Sequence, residues 1–123
     1  ELGIAVIARV PFDEGSLAGQ ICADSSFPDG DFRRIYFGPE NLGATVQRVE
    51  ALRAELPVEL SLPAAALRFV MSHPAVQTVI PGMRRRAHVH ANVGAVEQGP
   101  LDDAARVRLR AHRWDRQPAA WSL

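Results

Sequence analysis

Apolar residues occur in two compact runs and four longer amphipathic stretches, a pattern that predicts strands alternating with helices. Residues 3–10 (GIAVIARV) are β-branched and apolar, which predicts a short strand buried on both faces, as in a parallel sheet. Residues 76–80 (VQTVI) predict a second strand, and a proline ends each run. The four predicted helices cover residues 39–55, 62–72, 86–97 and 103–114. This order indicates parallel βα units.

Local signals set the limits of these helices. Pro39 suits the first turn of the first helix, and Ser61 is a plausible N-cap for the second. Asp102 or Asp103 opens the fourth. The apolar positions at helical spacing in the first helix are Leu42, Val46, Val49 and Leu52, and those in the third are Val89, Val93 and Val96. These stripes predict the faces that turn inward.

Residues 11–38 form a long predicted loop between the first strand and the first helix. Glycine, proline, Asp and Ser recur through it, and five aromatic side chains are dispersed among them. Loops longer than roughly 15 residues in compact domains tend to be functional or mobile. So many aromatic residues predict a loop that packs on another part of the molecule.

Composition narrows the function classes. The 123 residues carry 14 basic and 14 acidic side chains, and every basic one is arginine. Without lysine there is no Schiff-base or P-loop lysine, and the zero net charge predicts no nucleic-acid partner. The single cysteine, Cys22, cannot form an internal disulfide, which favours a cytoplasmic setting. No apolar run approaches the roughly 18 residues of a membrane span, and no metal-ligand cluster is visible.

Four segments in this order resemble the C-terminal portion of the aldo-keto reductases, which are NADP(H)-dependent (β/α)8 barrels. They are residues 3–12 (GIAVIARVPF) with 15–19 (GSLAG), 31–34 (DFRR) with 39–42 (PENL), 67–76 (LRFVMSHPAV), and 78–84 (TVIPGMR) with Asn92 and Val93. The resemblance implies a C-terminal fragment of a (β/α)8 TIM barrel, with two parallel strands and about four helices. We expect residues 1–116 to form this partial barrel, with a cofactor-covering loop at 11–38, and residues 117–123 to form a tail.

The family is a class of oxidoreductases that reduce a carbonyl to an alcohol with an Asp, a Tyr, a Lys and a His. All four lie in the first half of the barrel, and no matched segment includes them. The lack of lysine agrees, and Tyr36, the only tyrosine, lies in the predicted loop. We therefore assign no catalytic residue, expect this chain alone to be inactive in that reaction, and look for the missing residues upstream of Glu1.

What the resemblance implies for this portion is binding of NADP(H). Arg9 lies at the carboxyl end of the first strand, the end at which barrel active sites are built. The alternative interpretation is that Arg9 only forms an ion pair with a carboxylate. The segment that would cross the pyrophosphate contributes Val10, Pro11, Phe12, Gly15 and Leu17. Asp13 and Glu14 are awkward neighbours for phosphate because they are acidic.

The turn after the second strand carries Gly82, Met83 and Arg84. Arg84, Arg85 and Arg86 oppose the helix dipole, a local conflict that is expected at a functional site, although a solvated charge run is the alternative. By resemblance, Arg84 binds the adenosine 2′-phosphate, which favours NADP over NAD. His88 and Asn92 lie four residues apart on one helix face, and by resemblance both would lie near adenine. The family often has an acidic residue at the position just before Asn92, where this chain has Ala91.

Two alternatives remain open at this point. The chain is either part of a complete reductase or a stand-alone, non-catalytic NADP(H)-binding or assembly module. The module would have to cover its sheet edges by self-association or with a complementary N-terminal half. A weaker hypothesis is a repurposed enzyme with new chemistry at Arg9, Asp13, Glu14 and Tyr36.

Overall fold

The computed structural model describes residues 3–115, so the predicted tail at 117–123 lies outside the described residues. The elements in chain order are strand β1 (Val6–Arg9), a 3-10 helix (Asp13–Ala18), α1 (Arg33–Glu55), α2 (Leu62–Met71), β2 (Val76–Ile80), α3 (Arg86–Glu97) and α4 (Asp103–Arg110). The predicted limits of β2 and α3 are confirmed, and α4 is four residues shorter than predicted.

The two strands pair in parallel, as predicted. Arg9 lies opposite Ile80, so the carboxyl ends of β1 and β2 are side by side. The register is irregular after Val6, whose backbone N–H donates to the Gln77 side chain at 2.7 Å instead of to a ladder partner. The parallel pairing brings the segments that follow both strands to one edge of the sheet.

The prediction that the first strand is buried on both faces is wrong for this chain. Ile4 is 70% exposed and Ile7 is 61% exposed. Within residues 3–115 the sheet contains only these two strands, and α2 packs against β2. Most of the β1 surface therefore has no covering layer in the described part of the chain.

Helix α1 begins at Arg33, six residues earlier than predicted. Gly38 interrupts it with φ of 49° and ψ of 171°, directly before Pro39. Proline lacks an N–H and disfavours the helical region for the residue before it, so two helical segments meet there at an angle. The predicted start at Pro39 is the start of the second segment. As a result, residues 33–38 of the predicted loop are helical.

The inward positions of α1 also differ from the predicted stripe. The buried side chains are Phe37, Asn41, Thr45 and Val49, spaced four residues apart. Leu42, Val46 and Leu52 flank them and are half-buried. Two polar side chains therefore occupy the innermost face, which a stripe chosen by hydrophobicity alone would miss.

Helix α2 lies at the centre of the core. Ser61 caps it by accepting from the Ala64 N–H at 3.4 Å, as predicted, and Leu62, Ala65 and Leu67 are buried. The helix packs against α3, β2 and the 3-10 helix. Arg68 extends from it to the turn before α4 and donates to the Gly99 carbonyl at 2.8 Å.

The predicted inward stripe of α3 is largely exposed. Val89 is 40% exposed and Val93 is 49% exposed, whereas Asn92 and Ala95 are buried. Helix α3 packs against α2, which explains the one-sided burial. Among the described helices, none is long and apolar enough to cross a bilayer.

A salt bridge before α1 predicts a specific acid sensitivity. Arg33 Nε donates to Asp31 Oδ1 at 3.0 Å and its Nη2 lies 2.5 Å from Oδ2, and these hydrogen bonds lower the pKa of Asp31 from 3.8 to about 2. A carboxyl whose folded pKa is depressed stabilises the fold above its unfolded pKa and loses that contribution as pH falls. We expect Asp31→Asn to remove part of the loss of thermal stability between pH 3.8 and about 2.

Thermal unfolding followed by circular dichroism across that pH range measures the effect. Arg33→Gln should flatten the pH dependence as Asp31→Asn does, because it removes the donor that causes the shift. Wild-type pH dependence in both variants would contradict the assignment.

Candidate functional site

A groove of about 330 Å³ lies where the two strands end. Because the strands are parallel and Arg9 is paired with Ile80, the segments that leave them form opposite walls. The lining residues are Arg9, Val10, Pro11, Phe12, Glu14, Ile80 and Gly82. Five of the eleven predicted cofactor residues therefore line a single groove.

The wall that follows β1 has an unusual backbone. Val10, Asp13 and Glu14 have φ values of 52°, 46° and 54°, and Gly15 has 107°. A positive φ is ordinary for glycine, but for other residues it costs of the order of 1–3 kcal/mol each. Three such residues within five positions make this turn strained, and strain of this kind concentrates at ligand clamps and active sites.

Asp13 is held by two hydroxyl groups. Ser16 Oγ donates to Asp13 Oδ2 at 2.6 Å, and the Tyr36 hydroxyl donates to Oδ1. Ser16 is 1% exposed. Asp13 does not line the groove, whereas its neighbour Glu14 does. The expectation that Asp13 would be an unfavourable charge beside phosphate stays a prediction.

Sequence reasoning missed this cluster because Tyr36 lies 23 residues from Asp13. The one local signal was Ser16, three residues after Asp13, a spacing at which a Ser hydroxyl can reach an Asp carboxylate across a turn. Neither residue type nor spacing would have indicated the tyrosine.

Aromatic contacts organise the rest of the predicted loop. Phe27 stacks on Phe37 with ring centroids 5.6 Å apart, and Tyr36 meets Phe37 edge to face at 5.0 Å. The Arg33 guanidinium lies 4.9 Å from the centre of the Phe27 ring. These contacts all lie within the predicted loop, between its middle and its helical end, whereas the 3-10 helix at its start packs on α2 outside the loop.

Arg9 is exposed at the edge of the groove. Within residues 3–115 it forms no ion pair, so the described structure does not place it in the carboxylate pairing that was its alternative. A guanidinium presents donors in a planar fork that matches phosphate oxygens. Its position suits an anionic ligand.

The N-terminus of α3 forms a second positive region. Met83 and Arg84 are exposed in the turn before it, as are Arg85 and Arg86. Arg85 occupies the N-cap position and makes no side-chain capping hydrogen bond. The first N–H groups of a helix have no partner inside the helix and favour an anion. This end of α3 is therefore suited to a phosphate group.

Asn92 and His88 lie further along α3. Asn92 is only 7% exposed, and its Nδ2 has no hydrogen-bond partner among the described residues. Buried polar groups normally have partners, so this amide retains an unused donor. His88 is half-buried one turn earlier. The groove does not include either residue.

Leu17 and Gly15 do not line the groove. Leu17 lines a larger cavity of about 840 Å³ between the 3-10 helix, α2 and α4, to which Pro11 also contributes. The nearest atom to a side chain at Gly15 would be Ile21 Cδ1, at 3.8 Å. Of the eleven predicted residues, only Pro11 and Leu17 line this larger cavity. Within residues 3–115, no three His, Cys, Asp or Glu side chains are placed to hold a metal ion.

Comparison with known proteins identifies the origin of this arrangement. Residues 1–113 match the Aldo/keto reductase family. Over 98 residues the chain is 29% identical to aldo-keto reductase str7 from Strobilurus tenacellus. The matched region is 77% of this chain and 29% of that protein.

Aldo-keto reductase AKR11C1 from Bacillus halodurans, in its apo form, has a similar structure. It superposes with a TM-score of 0.61 and 29% identity over 89% of this chain and 34% of its own. The chain thus spans about a third or less of the length of these relatives. Its two parallel strands and their helices correspond to part of an α/β barrel, and the chain belongs to the aldo/keto reductase family.

Proposed function

We propose that the chain is the NADP(H)-binding C-terminal part of an aldo-keto reductase that reduces a carbonyl to an alcohol. The observation that carries the proposal is the groove at the carboxyl ends of β1 and β2, which joins Arg9 to a strained turn. When bound, the cofactor supplies the hydride. The residues of this chain bind and orient it.

The charges around the groove suit a dinucleotide. Arg9 lies at one end of the sheet edge, and Arg84 precedes the uncapped N-terminus of α3. Glu14 is the one acid in the groove, and its charge interacts with Arg33. The pKa of Arg33 is raised, first by its hydrogen bond to Asp31 and in smaller part by Glu14.

Asn92 supports the same proposal from a different direction. Its buried and unused Nδ2 donor fits a ligand acceptor, such as a ring nitrogen of adenine, better than it fits a packed apolar core. His88 lies one turn earlier on the same helix and would flank the same ligand.

The catalytic residues of the complete reductase would come from polypeptide outside residues 1–123. Ile7 and Ile80, which are 61% and 54% exposed, leave an apolar sheet that further strands would cover. A non-catalytic binding or assembly module is the second candidate, because the same exposed strands favour self-association. Sedimentation of the purified chain tests the module, which predicts a stable oligomer, so a monomer would contradict it.

The selectivity for the 2′-phosphate tests the proposal. We expect the chain to bind NADPH more tightly than NADH, and Arg84→Ala to weaken NADPH binding by about 10- to 100-fold while leaving NADH unchanged. That range corresponds to the loss of one charge-assisted contact, about 1.5–3 kcal/mol. Isothermal titration calorimetry with both dinucleotides measures it.

Arg110→Ala on α4 is a matched control, because it removes an exposed arginine that lies outside the groove. It should leave both affinities unchanged. Equal affinity of the wild-type chain for NADPH and NADH would refute selectivity, and no binding of either would refute the proposed function.

A further inference from the structure

We propose that Tyr36 and Asp13 are positioning residues, which together form a latch that holds the turn at residues 10–15 in its binding conformation against the dinucleotide phosphates. The inference rests on the proposed function and gives Tyr36 and Asp13 a role different from the new chemistry for which the sequence made them candidates. Ser16 is the third member of the latch, because its hydroxyl donates to the same carboxylate.

The turn needs an external restraint. Val10, Asp13 and Glu14 all adopt positive φ, which side chains bearing a Cβ rarely do. Its own backbone supplies hydrogen bonds from Asp13 N–H to the Val10 carbonyl at 3.1 Å and from Gly15 N–H to the Phe12 carbonyl at 2.9 Å. Such a conformation persists only where the surrounding structure holds it.

The latch supplies that restraint from a distant part of the chain. Tyr36 is in the first segment of α1, and its hydroxyl donates to Asp13 Oδ1. The Tyr36 ring is itself fixed, edge to face with Phe37 at 5.0 Å and with Phe32 at 6.5 Å. Since Phe37 is only 1% exposed, the tyrosine is anchored to the core. The turn is thus tied to a rigid element and not only to its own backbone.

The position of the latch relative to the groove indicates its purpose. Pro11, Phe12 and Glu14 line the groove, while Asp13 is not among its lining residues and lines the larger cavity of about 840 Å³. Two hydroxyl donors bind the two oxygens of the Asp13 carboxylate. The latch therefore keeps one negative charge out of an anion site and presents the neighbouring backbone to the ligand. Binding then requires less ordering of the turn.

Tyr36→Phe tests the latch, because it deletes only the hydroxyl and retains the ring that packs on Phe37. We expect the Kd for NADPH to rise about tenfold, mostly through faster dissociation. The preference for NADPH over NADH should stay unchanged, because Arg84 is untouched. Backbone amides at residues 10–17 should exchange faster with deuterium, since the turn loses its restraint.

Arg68→Ala is the control for a merely structural effect. Arg68 donates to the Gly99 carbonyl and to Gln98 Oε1, which lie just after α3. Arg68 lines no part of the groove. Its loss should lower the Tm and leave the Kd for NADPH unchanged. If Tyr36 served only stability, Tyr36→Phe would behave in the same way.

Ser16→Ala keeps the inference testable if Tyr36→Phe fails to fold. It removes the other donor to Asp13, and we expect the same pattern with a smaller rise in Kd, about threefold. A wild-type chain that binds NADPH, with an unchanged Kd in the folded latch variants, would overturn the latch and leave the proposed function standing. Absence of NADPH binding by the wild-type chain would overturn both.

Discussion

Replacing Phe37 with alanine is expected to lower the free energy of unfolding by about 3–5 kcal/mol. Phe37 is 1% exposed and stacks on Phe27 at 5.6 Å. Its removal leaves a cavity and eliminates the ring against which Tyr36 packs edge to face. Because small domains have a total stability of about 5–15 kcal/mol, this single change should use up a large part of it.

Phe32→Ala is the matched control, since it removes the same ring from the residue that precedes α1. Phe32 is 52% exposed, so its truncation should cost far less. Chemical denaturation of both variants, followed by circular dichroism, measures the difference. If the two variants lose equal stability, Phe37 is not the centre of the aromatic cluster.

Leu67→Ala is expected to lower the free energy of unfolding by about 2–5 kcal/mol. Leu67 is 1% exposed on α2, the helix that packs against α3, β2 and the 3-10 helix. A cavity at this position would weaken several contacts at once. The shape of the groove should also change, because the 3-10 helix beside its wall packs on α2.

Val107→Ala on α4 provides the comparison, as Val107 is 68% exposed. It should change stability by no more than about 0.5 kcal/mol. The denaturant concentrations at the unfolding midpoints of the two variants, compared at equal m-values, measure the difference in their stability. A midpoint for Leu67→Ala close to that of Val107→Ala would place the core elsewhere.

The two stability predictions and the latch describe one connected structure. Phe37 anchors Tyr36, Tyr36 holds Asp13, and Asp13 belongs to the turn whose neighbours line the groove. A short series of contacts therefore connects the buried core to the turn beside the groove. These contacts give the strained turn a restraint that comes from the core.

The sequence alone determined the features that depend on neighbouring residues. Proline and cap residues mark the limits of α2 and β2, because their effects act within one turn of a helix or at the end of a strand. The ordered segments at 3–19, 31–42, 67–76 and 78–93 led to the family, and the match over residues 1–113 confirmed it. The parallel pairing of the strands followed from the same order of elements.

Only the tertiary structure decided the features that depend on residues far apart. Spacing along α1 predicted an inward stripe of leucine and valine, of which Val49 is buried, but packing also buried the polar Asn41 and Thr45. The structure also brings the Tyr36 hydroxyl to Asp13, 23 residues away in the sequence. Local propensity carries no information about which distant side chain will be adjacent. Which side chains become adjacent is settled by which faces the helices bury against one another, and in this chain that packing joins Tyr36 to Asp13.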